Sequence, residues 1–209
     1  MSDSTQRALR ITHYASRIKY HAFAILVYLI LALVFTYPLA FNFASAIPGD
    51  GFDGLQNYWN LWWVRRALLD LNTTPFFTPD LFYPTGASLY FHTLNIFNGL
   101  WSLPIQLLVN LATTYNSVVL FTFVMSGYGT FLLARHVLQG ARRKGQGAEC
   151  YSALSTHHSA LSFIAGFVFA FAPFRFAHLL GHMQVLSTEW IPFFALTYLQ
   201  MPARKGAWW

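Results

Sequence analysis

From Ala22 to Ala44 the chain carries no charged side chain, and this run limits its fold more than any other feature. As a helix it rises through about 35 Å, enough to cross the roughly 30 Å hydrocarbon core of a bilayer. Across all 209 residues only 10% are charged and 56% are hydrophobic, whereas soluble domains carry about 25% charged residues. The class expected is therefore an all-α, polytopic membrane helix bundle. The run is too long for a cleavable signal and reads as a retained first span.

The formal net charge of +6 does not point to nucleic acid. The basic residues sit in short clusters between apolar runs rather than along one face, as topology determinants and lipid-headgroup contacts do. The single cysteine, Cys150, excludes an internal disulfide and any cysteine-based metal cluster. No phosphate-cradling glycine loop, metalloprotease helix or nucleophile elbow is present. Nor is there an inverted repeat or a charge deep inside a span, which weighs against a transporter.

The run from 94 to 114 is uncharged and long enough to cross, but Asn95, Asn98, Gly99, Pro104, Gln106 and Asn110 interrupt it. Charge decides how it is read. If it lies in the interface, the clusters Arg7–Lys19, Arg135–Lys144 and Arg204–Lys205 all fall on the cytoplasmic side. If it spans, Arg142–Lys144 moves outside, against the positive-inside tendency. About four spans are therefore expected, with interfacial helices in the first outward loop. The boundaries are a cytoplasmic tail over 1–21, a first span over 22–46 and an extracytoplasmic loop over 47–114. A second span covers 115–138, a basic cytoplasmic loop 139–158 and a third span 159–177. An extracytoplasmic turn takes 178–184, a fourth span 185–201 and a cytoplasmic end 202–209. This places an integral protein in a membrane of bacterial plasma-membrane type, N-terminus inside, with lipid as its first partner and no nucleic acid.

Two polar stretches then meet on the outer face. The first holds Asp50 and Asp53, two of only seven acidic residues, directly after the first span. Carboxylates so close to hydrocarbon are solvated, paired or bound. One reading makes them turn and cap residues among Pro48, Gly49, Gly51 and Gly54; the other makes them a site. Leu55–Leu71 follows as an amphipathic helix whose Trp59, Trp62 and Trp63 suit either the interface or a protein core. The second stretch gathers Arg175, His178, His182, Gln184 and Glu189 at a span boundary. Arg175 suits a phosphate or snorkels to lipid, and Glu189 caps a helix or pairs with Arg175. His178 and His182 share a helical face and could ligate a metal, or hydrogen-bond water and backbone, with Gly181 opposing a regular helix.

Four segments carry a likeness in their order and spacing. They are Gly-Asp-Gly-Phe-Asp-Gly-Leu-Gln-Asn-Tyr-Trp-Asn-Leu-Trp-Trp at 49–63, Leu81-Phe-Tyr-Pro-Thr-Gly-Ala-Ser-Leu89, Gly166 through Arg175, and Gly181-His-Met-Gln followed by Glu189-Trp-Ile-Pro192. Over residues 22–200 the chain resembles the N-terminal part of the integral-membrane glycosyltransferases of the C-type superfamily, and more closely a bacterial multi-span group built the same way. The resemblance implies sugar transfer from a polyprenyl-phosphate donor on the extracytoplasmic face. Asp53 matches the family's general base, with Asp50 assisting it or helping to hold a divalent metal ion. Arg175 would steady the departing phosphate. Tyr58, Trp59, Trp62 and Trp63 would line the sugar or lipid groove, with His182, Gln184 and Glu189 as further substrate contacts. Members of that superfamily have more spans than this chain. The sequence is thus expected to be the front of a longer enzyme or one half of a split one, with a second chain completing the bundle. The competing expectation is a non-catalytic subunit or lipid-binding module of an envelope assembly.

Overall fold

The computed structural model describes residues 3–49, 51, 53–144 and 151–201. In chain order these form α1 (Asp3–Phe35), a 3-10 turn (Leu39–Asn42), and α2 (Asp53–Arg65), continued by a π turn (Arg66–Asp70). Next come the strands β1 (Phe77–Thr78) and β2 (Ala87–Ser88), then α3 (Ile96–Trp101), α4 (Leu103–Leu108) and α5 (Leu111–Lys144). The chain continues as α6 (Tyr151–Ala170), α7 (Pro173–Leu179), α8 (Met183–Leu186) and α9 (Trp190–Gln200). The two strands pair antiparallel, Phe77 opposite Ser88 and Thr78 opposite Ala87; everything else regular is helical. Three stretches, Ile18–Phe35, Leu111–Gly140 and His158–Leu179, are long and apolar enough to cross a membrane. The chain is an all-α membrane protein.

Helix ends follow local chemistry. α1 stops at Phe35, short of the expected boundary, because Pro38 has no N–H and its ring opposes a continuing helix. The freed Thr36 carbonyl instead accepts Leu39 N at 2.8 Å. The run from 94 to 114 is divided between two six-residue helices and the start of α5. The third stretch breaks at Ala172, whose extended backbone (φ −62°, ψ 144°) is what a following proline demands. Between 185 and 201 the longest helix is the eleven-residue α9.

The described chain divides into two compact units. One takes in α1 up to Val34, α5 from Phe123, α6 and α9. Its packing is that of a membrane protein, with small or aromatic residues inside and large aliphatic ones outside. Ala24, Tyr28 and Ala32, four apart, are fully buried, while Phe23, Leu26, Ile30 and Val34 are more than half exposed. The Tyr28 hydroxyl donates to Phe163 O at 3.1 Å, and its ring lies so near Gly127 that a Cβ there would come within 2.6 Å. Phe131 packs on Phe163 with ring centres 4.7 Å apart.

The other unit holds 35–122 and 171–188. α3 lies against α2 so closely that a Cβ on Gly99 would meet Val64 at 2.8 Å. Trp63, Val64, Ala67, Leu89 and Leu94 form its core. Amide side chains tie its irregular segments together. Gln106 Nε2 donates to Leu61 O at 3.1 Å, Asn98 Nδ2 to Ser187 Oγ at 2.7 Å, and Asn110 Nδ2 to Ala44 O at 3.0 Å. Asn116 Nδ2 reaches both Phe43 O and Ala46 O at 2.8 Å, which fixes the segment leading into the polar loop at 47–53.

Candidate functional site

α2 begins at Asp53, and its first turn packs against the turn that follows α7. Both neighbours of the contact need glycine. A Cβ on Gly181 would stand 3.1 Å from Asp53 Cβ and from Gly54 N. Gly49 has φ +142°, and a Cβ there would press to 2.8 Å on Leu180 O. Asn57, one helical turn after Asp53, locks the two segments: its Nδ2 donates to Gly181 O at 2.7 Å and to Asp53 O at 3.0 Å. Asn57 is 2% exposed, so these bonds are made in a water-poor setting where an unmade one is costly.

The lock sets His182 Nε2 3.0 Å from Asp53 Oδ2, with both side chains about half exposed. Although α7 ends at Leu179, His182 N donates to His178 O at 2.9 Å. That extra helical turn brings the two imidazoles within 5.1 Å, edge to face. Phe174 packs 4.3 Å from His178 on the far side. Gly49 and Leu180, which approach each other closely at this contact, also line a cavity of about 260 Å³ together with Pro38, Leu39, Ile47 and Leu179. The result is a carboxylate held by an imidazole and about half open to solvent.

Of the residues singled out in the sequence, Asp53, His182 and His178 come together. Asp50 lies outside the described residues. Arg175 is buried at 2% exposure; its guanidinium donates to Thr188 Oγ1 and, at 3.4 Å, to Thr122 Oγ1. Glu189 is fully buried and makes no side-chain cap for α9. Gln184 sits on α8 with its Oε1 buried and lacking a hydrogen-bond partner. Tyr58 packs on Tyr115 at 6.1 Å between ring centres. Trp63 is fully buried and donates to Pro75 O at 2.9 Å, stacked on Trp59, while Trp62 carries Arg66 over its ring at 5.1 Å. Trp59 and Trp62 stand six and nine residues beyond Asp53, about 9 and 14 Å along the helix axis. Asn57 escaped the sequence reading, which took Gly181 only as a break in a helix; the signal available was Asn57's place one turn after Asp53 on the same face.

The divalent ion expected between Asp50 and Asp53 involves Asp50, which lies outside the described residues; of Asp53, Oδ2 faces His182. Among the described residues no three His, Cys, Asp or Glu side chains converge as a closed metal set. Comparison of the chain with protein-family models, with curated proteins and with solved structures finds no match in any of the three.

Proposed function

We propose that the chain is the membrane-embedded part of a glycosyltransferase that moves a sugar from a polyprenyl-phosphate donor to a hydroxyl acceptor, with Asp53 as general base. The observation that carries this reading is the Asp53–His182 pair. His182 Nε2–H occupies Oδ2 and fixes the carboxylate's orientation, which leaves Oδ1 to take a proton. In the transfer the acceptor oxygen, losing its proton to Oδ1, bonds to the anomeric carbon. The bond from that carbon to the phosphate oxygen breaks, and polyprenyl phosphate leaves with the electron pair. The cavity lined by Leu39, Ile47, Leu179 and, through Gly49, the loop that precedes Asp53 supports an amphiphilic substrate whose chain lies there. Arg175, buried on its two threonines, serves this reading by fixing α7, and with it His178 one turn on. Trp63 belongs to the core that holds α2 in place.

In this proposal the membrane is a bacterial plasma membrane and the N-terminus is cytoplasmic. The segment 185–201 makes the fourth crossing, and Asp53 faces outward. The distribution of basic clusters supports that orientation. The experiment uses membranes from cells expressing the chain, supplied with a polyprenyl-phosphate-linked sugar, and follows release of polyprenyl phosphate. Asp53→Asn is expected to lower release by about 100-fold or more while the variant still inserts in the membrane. Release that persists in Asp53→Asn, or none from the wild-type chain, overturns the reading.

The rival, a non-catalytic membrane subunit, draws on one observation. The bare apolar stripe Phe23, Leu26, Ile30 and Val34 can face a second chain as well as lipid. It predicts that Asp53→Asn leaves every property of the assembly unchanged.

A further inference from the structure

The imidazole cluster carries more than a base and its support. His182 presents Nε2 to the Asp53 carboxylate, so Nε2 bears the proton and Nδ1 is left with its lone pair. That Nδ1 is buried and has no hydrogen-bond partner. The Nδ1 of His178 is likewise buried and without a hydrogen-bond partner. A buried ring nitrogen ordinarily finds a partner; two such atoms on adjacent rings ask for a shared one.

We propose that His178 and His182 ligate one divalent transition-metal ion of the zinc class through their Nδ1 atoms, with Asp53 as the outer partner of His182. The spacing of the rings fits. With metal–nitrogen bonds of about 2.0–2.1 Å and ring centres about 1.1 Å behind the nitrogens, two imidazoles on a tetrahedral ion stand about 5.2 Å apart. The ring centres here are 5.1 Å apart. The backbone holds them at that distance through the His182 N to His178 O bond. A carboxylate on the far nitrogen is the usual companion of a metal-binding histidine, because it fixes the tautomer and raises the basicity of the ligating atom. Asn57 Oδ1, on the side chain that bonds Gly181 O, is also buried and without a hydrogen-bond partner.

The ion's place beside Asp53 deepens the proposed transfer, but its binding is read without turnover. A failed transfer assay and a failed binding assay are therefore separate results. The full chain, purified in detergent through a tag without histidines, is titrated with zinc against a chromophoric chelator. One tight equivalent per chain is expected. His178→Ala and His182→Ala should each weaken it at least about tenfold, and Asp53→Asn should weaken it by about 10- to 100-fold through loss of the outer partner. The chain has eight histidines, so a His157→Ala, His158→Ala double variant serves as control and should keep the tight site. Should an alanine variant fail to fold, the glutamine variant at that position takes its place. Absence of a stoichiometric site in the wild-type chain overturns the proposal, as does a tight site that survives His178 and His182 substitution or disappears with His157 and His158.

Discussion

Asn57 shows how one side chain can build a site it does not itself perform. Its amide spans two backbone carbonyls, one on its own helix and one 124 positions away at Gly181. The same device recurs at His92. Asn60 Nδ2 donates to Thr93 O at 2.8 Å, which turns Asn60 Oδ1 toward His92 Nε2 at 3.1 Å. Gln56 Nε2 lies 3.3 Å from His92 Nδ1 and 3.2 Å from its Nε2. Burial pushes the imidazole below its ordinary value of 6.5. A group whose folded-state affinity for protons is lowered stabilises the fold above its unfolded pKa, and that contribution is lost as the pH falls below it. Between about pH 7.5 and about pH 5.5 the wild-type chain should therefore lose more thermal stability than His92→Gln, in which no imidazole titrates. Equal losses in melting midpoint for the two chains would remove His92 from the account.

At the scale of elements, two kinds of packing hold this protein. Around α1 the close contacts are made by missing side chains: Gly127 admits the Tyr28 ring, and Gly129 admits Phe193, where a Cβ would come within 2.9 Å. Glycine at a helix contact lets backbones approach and dispersion forces act where lipid offers no hydrophobic drive. Gly127→Leu should therefore cost about 1–3 kcal/mol through overpacking, seen as a lower melting midpoint in detergent. Leu26→Ala, on the exposed stripe, should change it little. A Gly127→Leu chain as stable as wild type would show that α1 does not pack through Tyr28. In the second unit the elements are short and irregular, and buried amides replace helix length as the source of order.

For the whole molecule the question is orientation. Cysteines placed at Gln139 and Gln146 in a Cys150→Ala background should resist an impermeant thiol reagent on intact cells and react after permeabilisation. Labelling from outside would overturn the proposed four-crossing topology. The sequence made the membrane class legible, because the length and apolarity of a helix are local properties that a charge-free run such as Ala22–Ala44 displays without any partner. The interruptions at Asn98, Gln106 and Asn110 were legible as interruptions, and Asp53 and His182 as candidates. What those side chains bind was not. A hydrogen bond across a hundred residues leaves no trace in periodicity, since an amide donating to a distant carbonyl and one facing water look alike in a single chain. Trp63 is the same case from the apolar side, as an aromatic stripe suits a lipid interface and a buried core equally until the partner surface is present. The sequence by itself determined the solvent this chain folds in and the helices that meet it. Only the tertiary structure decided that Asp53 faces His182, because that meeting depends on Gly49, Asn57 and Gly181 bringing two distant turns into contact.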